Sequence, residues 1–477
     1  MEYQEIQNRV KEILPEKRYE HTLRVVEVAK YLAKRHNKIT INDLNTNQNE
    51  ENKPSQRGLK NRHIQLIAIA GTIGTGLFLG AGKSIHLTGP SIIFVYLIIG
   101  ALMYILLRAI GEMLYQDPNQ HSFLNFVSRY LGEKPGYFIQ WSYLLVVVFV
   151  AMAELIAIGT YINFWLPDLP IWMTEVFVLV LLTLLNTLNP KFFGETEFWF
   201  GMIKIVAIIG LILTAIILIF SHYHTGTDTV SVTNITKGFE FFPNGLSNFF
   251  ESFQMVMFAF VSMEFIGMTA AETDNPRPTL KKAINQIPIR IVLFYVGALL
   301  AIMSIYQWRD IPADKSPFVT IFQLIGIKWA AALVNFVVLT SAASALNSAL
   351  FSITRNLYSL SKLNNDKILK PFTKFSKAGV PVNALLFTSL LILFTPFISM
   401  IPAISNSFVF ITSVATNLFL VVYLMTLITY LKYRKSSDFD PKGFVLPAAH
   451  IFIPLAIAGF VLIFISLFCF KDTIVPA

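Results

Sequence analysis

Charged residues and cysteines are scarce in this sequence. Lys, Arg, Asp and Glu make up 14% of the 477 residues, whereas 54% are hydrophobic. Soluble domains contain about 25% charged residues. Together with a mean hydropathy of +0.58, this composition excludes an ordinary soluble protein and indicates an integral membrane protein with several spans. Cys469 is the single cysteine, so an internal disulfide framework is excluded.

The net charge of +9 would suit a protein that binds nucleic acid, but the distribution of charge favours another explanation. Lys and Arg lie in short loops between apolar runs, which is where membrane proteins carry positive charge. We therefore predict no nucleic-acid partner. No cleavable signal peptide is evident, because the first apolar run begins near Ile64.

Apolar runs of spanning length predict an all-α integral membrane protein with about eleven transmembrane helices. Loops rich in Gly, Pro, Asn and Asp separate the runs. The predicted spans are Ile64–Leu87, Pro90–Leu114, Gly136–Trp165, Met173–Leu188, Phe198–Phe220, Phe249–Ala271, Ile287–Trp308, Ala330–Leu360, Val382–Ile401, Phe408–Leu431 and Phe444–Phe470.

The charges in the loops predict the orientation of the chain. Alternate loops carry roughly twenty Lys and Arg residues, the opposite set carries about six, and cytoplasmic loops hold the excess. We therefore expect a multi-pass protein of the cell membrane with a cytoplasmic N-terminus.

Residues 1–60 differ in composition from the rest of the chain. Within 1–36, "PEKRYEHTLRVVEVAKYLAKR" resembles the opening of HD-domain dinucleoside-tetraphosphate hydrolases, in which His21 would be the first metal ligand. The chain contains no His-Asp dipeptide to supply the next ligands, and one ligand does not hold a catalytic metal. We predict an inactive helical fragment followed by a polar cytoplasmic linker over 37–60, and no metal site.

The stretch "IAIAGTIGTGLFLG" places Gly71, Gly74 and Gly76 at the centre of the first span. Two explanations are open: small residues allow close packing of helices, or glycines permit an unwound segment that lines a cavity. In the second case, the N-terminus of the following half-helix would bind a carboxylate. The spacing is not the dinucleotide-binding fingerprint, which also needs a strand before it.

A second break is expected in the sixth span, because an inverted repeat of five spans pairs the sixth with the first. This span reads "MVMFAFVSMEFIGMTAAE" and carries Ser262, Glu264 and Gly267 near its middle. An acidic residue inside a membrane span is costly and is a functional candidate.

Other polar residues lie within the apolar runs. Lys204 in the fifth span either snorkels to the interface or titrates during transport. Glu154 in the third span either holds a neighbouring helix or lines the transport path. Ser341 and Ser344 in the eighth span, and Thr412 in the tenth, either pack against helices or line a cavity.

Residues 58–470 resemble amino acid permeases of the amino acid–polyamine–organocation superfamily, in the branch of D-serine/D-alanine/glycine and serine/alanine permeases. The stretches that carry the resemblance are "NRHIQLIAIAGTIGTGLFLGAGKSIHLTGPSIIFVY", "FGETEFWFGMIKIVAIIG", "AAETDNPRPTLKKAINQIPIRI" and "SPFVTIFQLIGIKWAAALVNFVVLTSAASALNS".

The resemblance implies a five-plus-five inverted-repeat transporter fold with a ten-helix core over 61–432. Backbone amides of the first span would bind the substrate carboxylate, and backbone carbonyls of the sixth would bind the amino group. Proton coupling would involve Lys204, and Glu264 is a second candidate. The implied substrate-binding residues are Thr72, Ile73, Gly74, Thr75 and Gly76 in the first span, and Phe258, Ala259, Phe260 and Val261 in the sixth.

Two features depart from the family pattern. Relatives usually carry glycine in the sixth-span break, where this chain has Val261, Ser262 and Met263. A twelfth span is common in the family, whereas residues 433–477 hold an eleventh helix and then an apparently truncated C-terminus.

We therefore expect a secondary active transporter that imports small neutral amino acids with protons. Alanine, serine and glycine are the expected substrates, with D-isomers as further candidates. The partners would be the amino acid, the proton and the lipid bilayer; we expect no enzymatic activity and no cofactor. The alternatives are an exchanger or a permease for larger neutral amino acids, a non-transporting amino acid sensor, and a membrane-tethered nucleotide hydrolase.

Overall fold

Helices follow the apolar runs closely in the part of the chain that the structure describes. This structure, a computed structural model, describes residues 73–118, 120, 122–187, 193–225, 228–266, 275–363, 367–376, 379–401 and 406–469. Within them, eight helical stretches are long and apolar enough to cross a bilayer. The predicted fragment at 1–36, the linker at 37–60, Thr72 and Gly267 lie outside the described residues.

The first half of the described chain is built from seven helices and a short hairpin. Helices α1 and α2 belong to the first span, α3 to the second, α5 to the third, α6 to the fourth and α7 to the fifth. Their bounds are α1 (Thr75–Phe78), α2 (Gly80–Thr88), α3 (Ile92–Gln116), α4 (Leu124–Leu131), α5 (Glu133–Asn163), α6 (Ile171–Thr187) and α7 (Phe193–Phe220), followed by the antiparallel strands β1 (His224–Thr225) and β2 (Asp228–Thr229).

The second half continues with spans six to eleven. Short 3-10 turns lie at Gly89–Ser91, Trp308–Asp310 and Lys370–Thr373, and a π-helical turn lies at Ile291–Val296. The helices are α8 (Thr233–Thr236), α9 (Gly245–Ala259), α10 (Pro276–Asn285), α11 (Ile287–Arg290), α12 (Gly297–Ile305), α13 (Pro317–Leu324), α14 (Lys328–Leu363), α15 (Val382–Ile392), α16 (Phe394–Ser399), α17 (Ser407–Tyr433) and α18 (Ala449–Leu467).

Helix α5 lies at the centre of the bundle and packs against α14 and α17. It is apolar around most of its circumference, which is typical of a helix buried on all sides. Helices α7 and α18 lie at the periphery and expose most of their apolar side chains. Phe220 is 81% exposed and Phe177 on α6 is 67% exposed. Such a surface is stable against lipid tails rather than water.

Two of the predicted spans differ from the helices in the structure. The sixth span is helical to Ala259, residues 260–264 form successive turns, and helix resumes at 265–266, the last described residues of the span. The eleventh helix begins at Ala449 instead of Phe444. The apolar residues before it pack against α3: Phe444 and Leu446 are buried, and Leu446 donates its backbone N–H to Glu112.

Candidate functional site

The first span contains a short half-helix that starts at the predicted glycines. Gly74 is extended, with φ −124° and ψ −166°, and α1 begins at Thr75. The N–H groups of Leu77 and Phe78 both donate to the carbonyl of Gly74, at 3.2 and 3.3 Å. The N–H groups of Thr75 and Gly76 belong to the first turn and have no acceptor within the helix itself.

The sixth span is interrupted at the place where relatives usually carry glycine. Helix α9 ends at Ala259, and Ser262 has a φ of +72°. This left-handed conformation costs roughly 1–2 kcal/mol for a residue that has a Cβ atom. The departure noted in the sequence therefore leaves the backbone turn in place, at the expense of local strain.

The two breaks are in direct contact through Gly76 and Ala259. A Cβ atom on Gly76 would lie 2.5 Å from the Cα and 2.8 Å from the N of Ala259. One turn further along, a Cβ on Gly80 would lie 2.6 Å from the Sδ of Met255. The packing explanation therefore applies to Gly76. Gly74 lies in a non-helical segment, and its role in lining a cavity stays a prediction.

Backbone carbonyls at the end of α9 are buried and partly hydrogen-bonded. The carbonyl of Phe258 accepts from the N–H of Val261 at 3.1 Å, and that of Phe260 from Met263 at 3.4 Å. The carbonyl of Ala259 accepts from the hydroxyl of Tyr295 at 3.1 Å. A carbonyl oxygen has two lone pairs, so each of these groups can accept a second hydrogen bond.

Glu154 on α5 lies beside the first break. Its Oε1 accepts a hydrogen bond from the hydroxyl of Thr75 at 3.1 Å, and a Cβ on Gly74 would lie 3.2 Å from the same oxygen. Within the described residues, Oε2 is buried and has no hydrogen-bond partner. Lys204 on α7 is also buried. Glu154 is therefore a buried carboxyl group that contacts the start of α1.

Glu264 follows the second break and is fully buried. Its Oε1 accepts from the hydroxyl of Tyr143 on α5 at 3.1 Å, and its Oε2 accepts from the hydroxyl of Tyr423 on α17 at 2.9 Å. The carboxylate therefore joins the sixth span to the third and the tenth. The sequence predicted Glu264 but neither tyrosine, because nothing in their spacing separates them from other aromatic residues.

The three hydroxyl residues predicted to line a cavity are all buried but have different surroundings. Thr412 donates to the carbonyl of Val409 at 3.0 Å and accepts from the side chain of Gln254 at 3.3 Å, which joins α17 to α9. The hydroxyl of Ser341 has no partner among the described residues. Ser344 is 2% exposed. Thr412 has a packing role in this arrangement, and sequence reasoning missed its partner Gln254.

A cavity of about 350 Å³ opens at one end of the bundle, one turn beyond the two breaks. Gly80 and Met255 form part of its floor, and Trp172, Ser399 and Val409 form part of its walls. Pockets of this volume are large enough for small organic ligands. We call this end of the bundle the cavity end.

The opposite end, where α3 and α17 finish, is held closed around Glu112. This buried carboxylate accepts from Arg434 at 3.0 Å, from the hydroxyl of Tyr430 at 2.7 Å and from the N–H of Leu446 at 2.6 Å. Arg108, one turn away, donates to the carbonyl of Val445 at 2.5 Å. Glu112 forms its ion pair with Arg434, although Arg108 is closer to it in sequence.

A second, more exposed cluster lies at the same end. Arg129 forms ion pairs with Asp117 at 2.9 Å and Asp438 at 2.8 Å, and Tyr130 donates to Asp438 at 2.8 Å. Burial and then the hydrogen bond to Asp438 raise the pKa of Tyr130 to about 12, so its hydroxyl remains a donor at neutral pH. We call the Glu112 and Arg129 clusters together the closed end. In the described residues, no group of three or more His, Cys, Asp and Glu residues could hold a metal ion.

Known proteins match most of the length of this chain. The amino acid permease family model matches residues 63–477. The DL-alanine permease of Lactococcus lactis subsp. cremoris is 96% identical over 437 residues, which cover 91% of this chain and 95% of that protein. The serine permease of the same organism is 63% identical over 90% of this chain and 95% of its own length. The D-serine/D-alanine/glycine transporter of Escherichia coli K12 is 44% identical over 88% of this chain and 89% of its own length.

Proposed function

The chain belongs to the amino acid permease family and is a multi-pass membrane protein, and on this basis we propose that it imports alanine and other small neutral amino acids with protons. One observation carries the proposal for the substrate: Gly76 lies directly against Ala259. The contact brings the first-turn N–H groups of α1 next to the buried carbonyls at the end of α9. These groups complement the carboxylate and the ammonium of an amino acid zwitterion.

Small substrates suit the side chains around the two breaks. Ile73, Phe258 and Met263 are at most 4% exposed and leave little space beside the backbone groups. Backbone groups would bind the carboxylate and the ammonium, so the substrate side chain would be selected by its size and shape. A methyl side chain is small enough for both enantiomers of alanine to be accommodated. The similarity to permeases named for DL-alanine, serine and D-serine/D-alanine/glycine supports this substrate class.

We assign proton coupling to two buried ionisable residues, Lys204 on α7 and Glu154 on α5. Thr75 connects this pair to the substrate site, because its hydroxyl donates to Glu154 and its N–H belongs to the first turn of α1. A proton gained or lost by the pair changes the charge beside that turn, where the substrate carboxylate would bind. Proton binding and amino acid binding are then linked by a coupling free energy.

Alternating access follows from the difference between the two ends of the bundle. Loops at the closed end carry most of the Lys and Arg residues, so we assign this end to the cytoplasm. The cavity end then faces outward, which corresponds to an outward-facing state of the transporter. Substrate and proton enter from the cavity end, and release requires the Glu112 and Arg129 clusters to separate.

Uptake into proteoliposomes tests the proposal. Labelled alanine should accumulate when an inward proton gradient is imposed, and unlabelled serine, glycine and D-alanine should compete while phenylalanine should not. Lys204→Met should lose the response to the gradient, whereas Lys237→Met, which changes an exposed loop lysine, should keep it. Accumulation driven by a sodium gradient alone, or unaffected gradient dependence in Lys204→Met, would refute the coupling.

A further inference from the structure

Tyr295 connects the seventh span to the second break. Its hydroxyl donates to the carbonyl of Ala259 at 3.1 Å. Ala259 is the last residue of α9 and the residue that Gly76 contacts. The side chain of Tyr295 is 1% exposed, so this hydrogen bond is shielded from solvent. A buried hydrogen bond to a carbonyl limits the directions in which the carbonyl can point.

The local backbone of the seventh span explains how Tyr295 reaches this carbonyl. Residues 291–296 form a π-helical turn between α11 and α12. Phe294, Tyr295 and Val296 are consecutive in sequence, yet all three are buried. A regular α-helix at the edge of a bundle would turn one of three such residues toward the lipid. Single π-helical turns of this kind occur frequently at functional sites.

Tyr295 is one member of a cluster of three rings. Its ring stacks on Phe260, with centroids 4.9 Å apart, and lies 5.7 Å from the ring of Tyr96 on α3. The hydroxyl of Tyr96 is buried as well, but it has no hydrogen-bond partner among the described residues. The two tyrosines therefore share a packing environment, since the ring of Tyr96 also lies 5.9 Å from that of Phe260, but it is Tyr295 whose hydroxyl donates to a backbone carbonyl of the break.

We propose that Tyr295 is a positioning residue for the substrate ammonium. Its hydroxyl occupies one lone pair of the Ala259 carbonyl and holds the peptide group so that the second lone pair faces the substrate site. This role rests on the proposed function, because it assumes that the carbonyls at the end of α9 bind an amino acid. Tyr295 does not need to touch the substrate.

The test compares Tyr295→Phe with Tyr96→Phe in proteoliposomes. Each substitution removes one hydroxyl from the same ring cluster and keeps the ring. Tyr295→Phe should raise the KM for alanine about fivefold, the effect expected from the loss of one neutral hydrogen bond, with Vmax changed by less than about twofold. Tyr96→Phe should leave both constants unchanged, because its hydroxyl has no hydrogen-bond partner within the described part of the chain.

Three outcomes overturn the inference: an unchanged KM in Tyr295→Phe, an effect on Vmax alone, or equal effects of the two variants. A merely structural role would lower the thermal stability without the selective rise in KM, so the melting temperature of both variants is measured in parallel. If the wild-type protein does not take up alanine, the proposed substrate fails instead. The two variants are then compared with the amino acid that a panel identifies as substrate.

Discussion

Gly76→Ala is the most direct perturbation of the contact between the two breaks. The new Cβ atom would lie 2.5 Å from the Cα of Ala259, whereas non-bonded carbon atoms are in contact at about 3.5–4.0 Å. The two nearest atoms, the Cα and the N of Ala259, belong to the backbone. Rotation of a side chain therefore cannot relieve the overlap. Helices α1 and α9 must therefore move apart by roughly 1 Å.

Two consequences follow from this separation. Overpacking of a well-packed interior costs about 1–3 kcal/mol of stability. A shift of about 1 Å would also lengthen the proposed hydrogen bonds from the first-turn N–H groups of α1 to the substrate carboxylate. Their donor–acceptor distances would exceed the normal range of about 2.7–3.2 Å. Loss of one charge-assisted hydrogen bond is worth about 1.5–3 kcal/mol, so we expect the KM for alanine to rise by roughly 10- to 100-fold.

Gly210→Ala is a matched control for this experiment. Gly210 lies within α7, and a Cβ atom there would meet no atom within 4 Å. The substitution should leave uptake unchanged and keep or slightly raise stability, because alanine favours helix more than glycine by about 1 kcal/mol. Initial rates of alanine uptake over a range of concentrations, together with thermal unfolding in detergent, measure both effects. An unchanged KM in Gly76→Ala would refute the assignment of this contact to the substrate site.

Three further substitutions test other parts of the structure by thermal unfolding. Ser262→Gly should stabilise the protein by about 0.5–1 kcal/mol, because relief of the left-handed strain exceeds the cost of the added entropy of the unfolded chain. An unchanged or lower melting temperature would show that Ser262 is not strained. Glu112→Ala should destabilise the protein by about 2–4 kcal/mol, because the buried Tyr430 hydroxyl and Leu446 N–H lose their acceptor. Asp117→Ala, in a more exposed pair, should cost about 0–1 kcal/mol. Equal losses of stability in the two variants would contradict the claim that burial makes the Glu112 cluster stronger than the Asp117 pair. Tyr143→Phe should cost about 1.5–3 kcal/mol by removing one donor to the Glu264 carboxylate, and an unaltered melting curve would show that this bond contributes little.

The arrangement of helices was largely predictable from the sequence, because apolar runs of spanning length have few alternatives in a bilayer. The first break was also predictable, because glycines concentrated at the centre of a span weaken the helix there, and this effect depends only on the local sequence. The second break was less evident from residues alone. Ser262 adopts a conformation typical of glycine, and no local pattern identifies a serine in that conformation.

Pairings across the bundle could not be predicted from the sequence. Glu264 and Tyr423 are 159 positions apart, and Glu112 and Arg434 are 322 positions apart. Their meeting depends on how helices pack, whereas the sequence shows only that each residue is polar in an apolar run. Nearness in sequence is equally uninformative here: Arg108 lies one turn from Glu112, but its guanidinium donates to the carbonyl of Val445.

Glu112 also determines how the closed end can open. Its two oxygens hold three donors from α17 and from the segment before α18, so the bonds cannot be released one after another without leaving a buried charge partly unsatisfied. The energy of opening is therefore concentrated at the start of the motion instead of being spread along it. The Glu112 cluster therefore resists small thermal fluctuations, and its hydrogen bonds break cooperatively. A transporter closed in this way would have few partly open states.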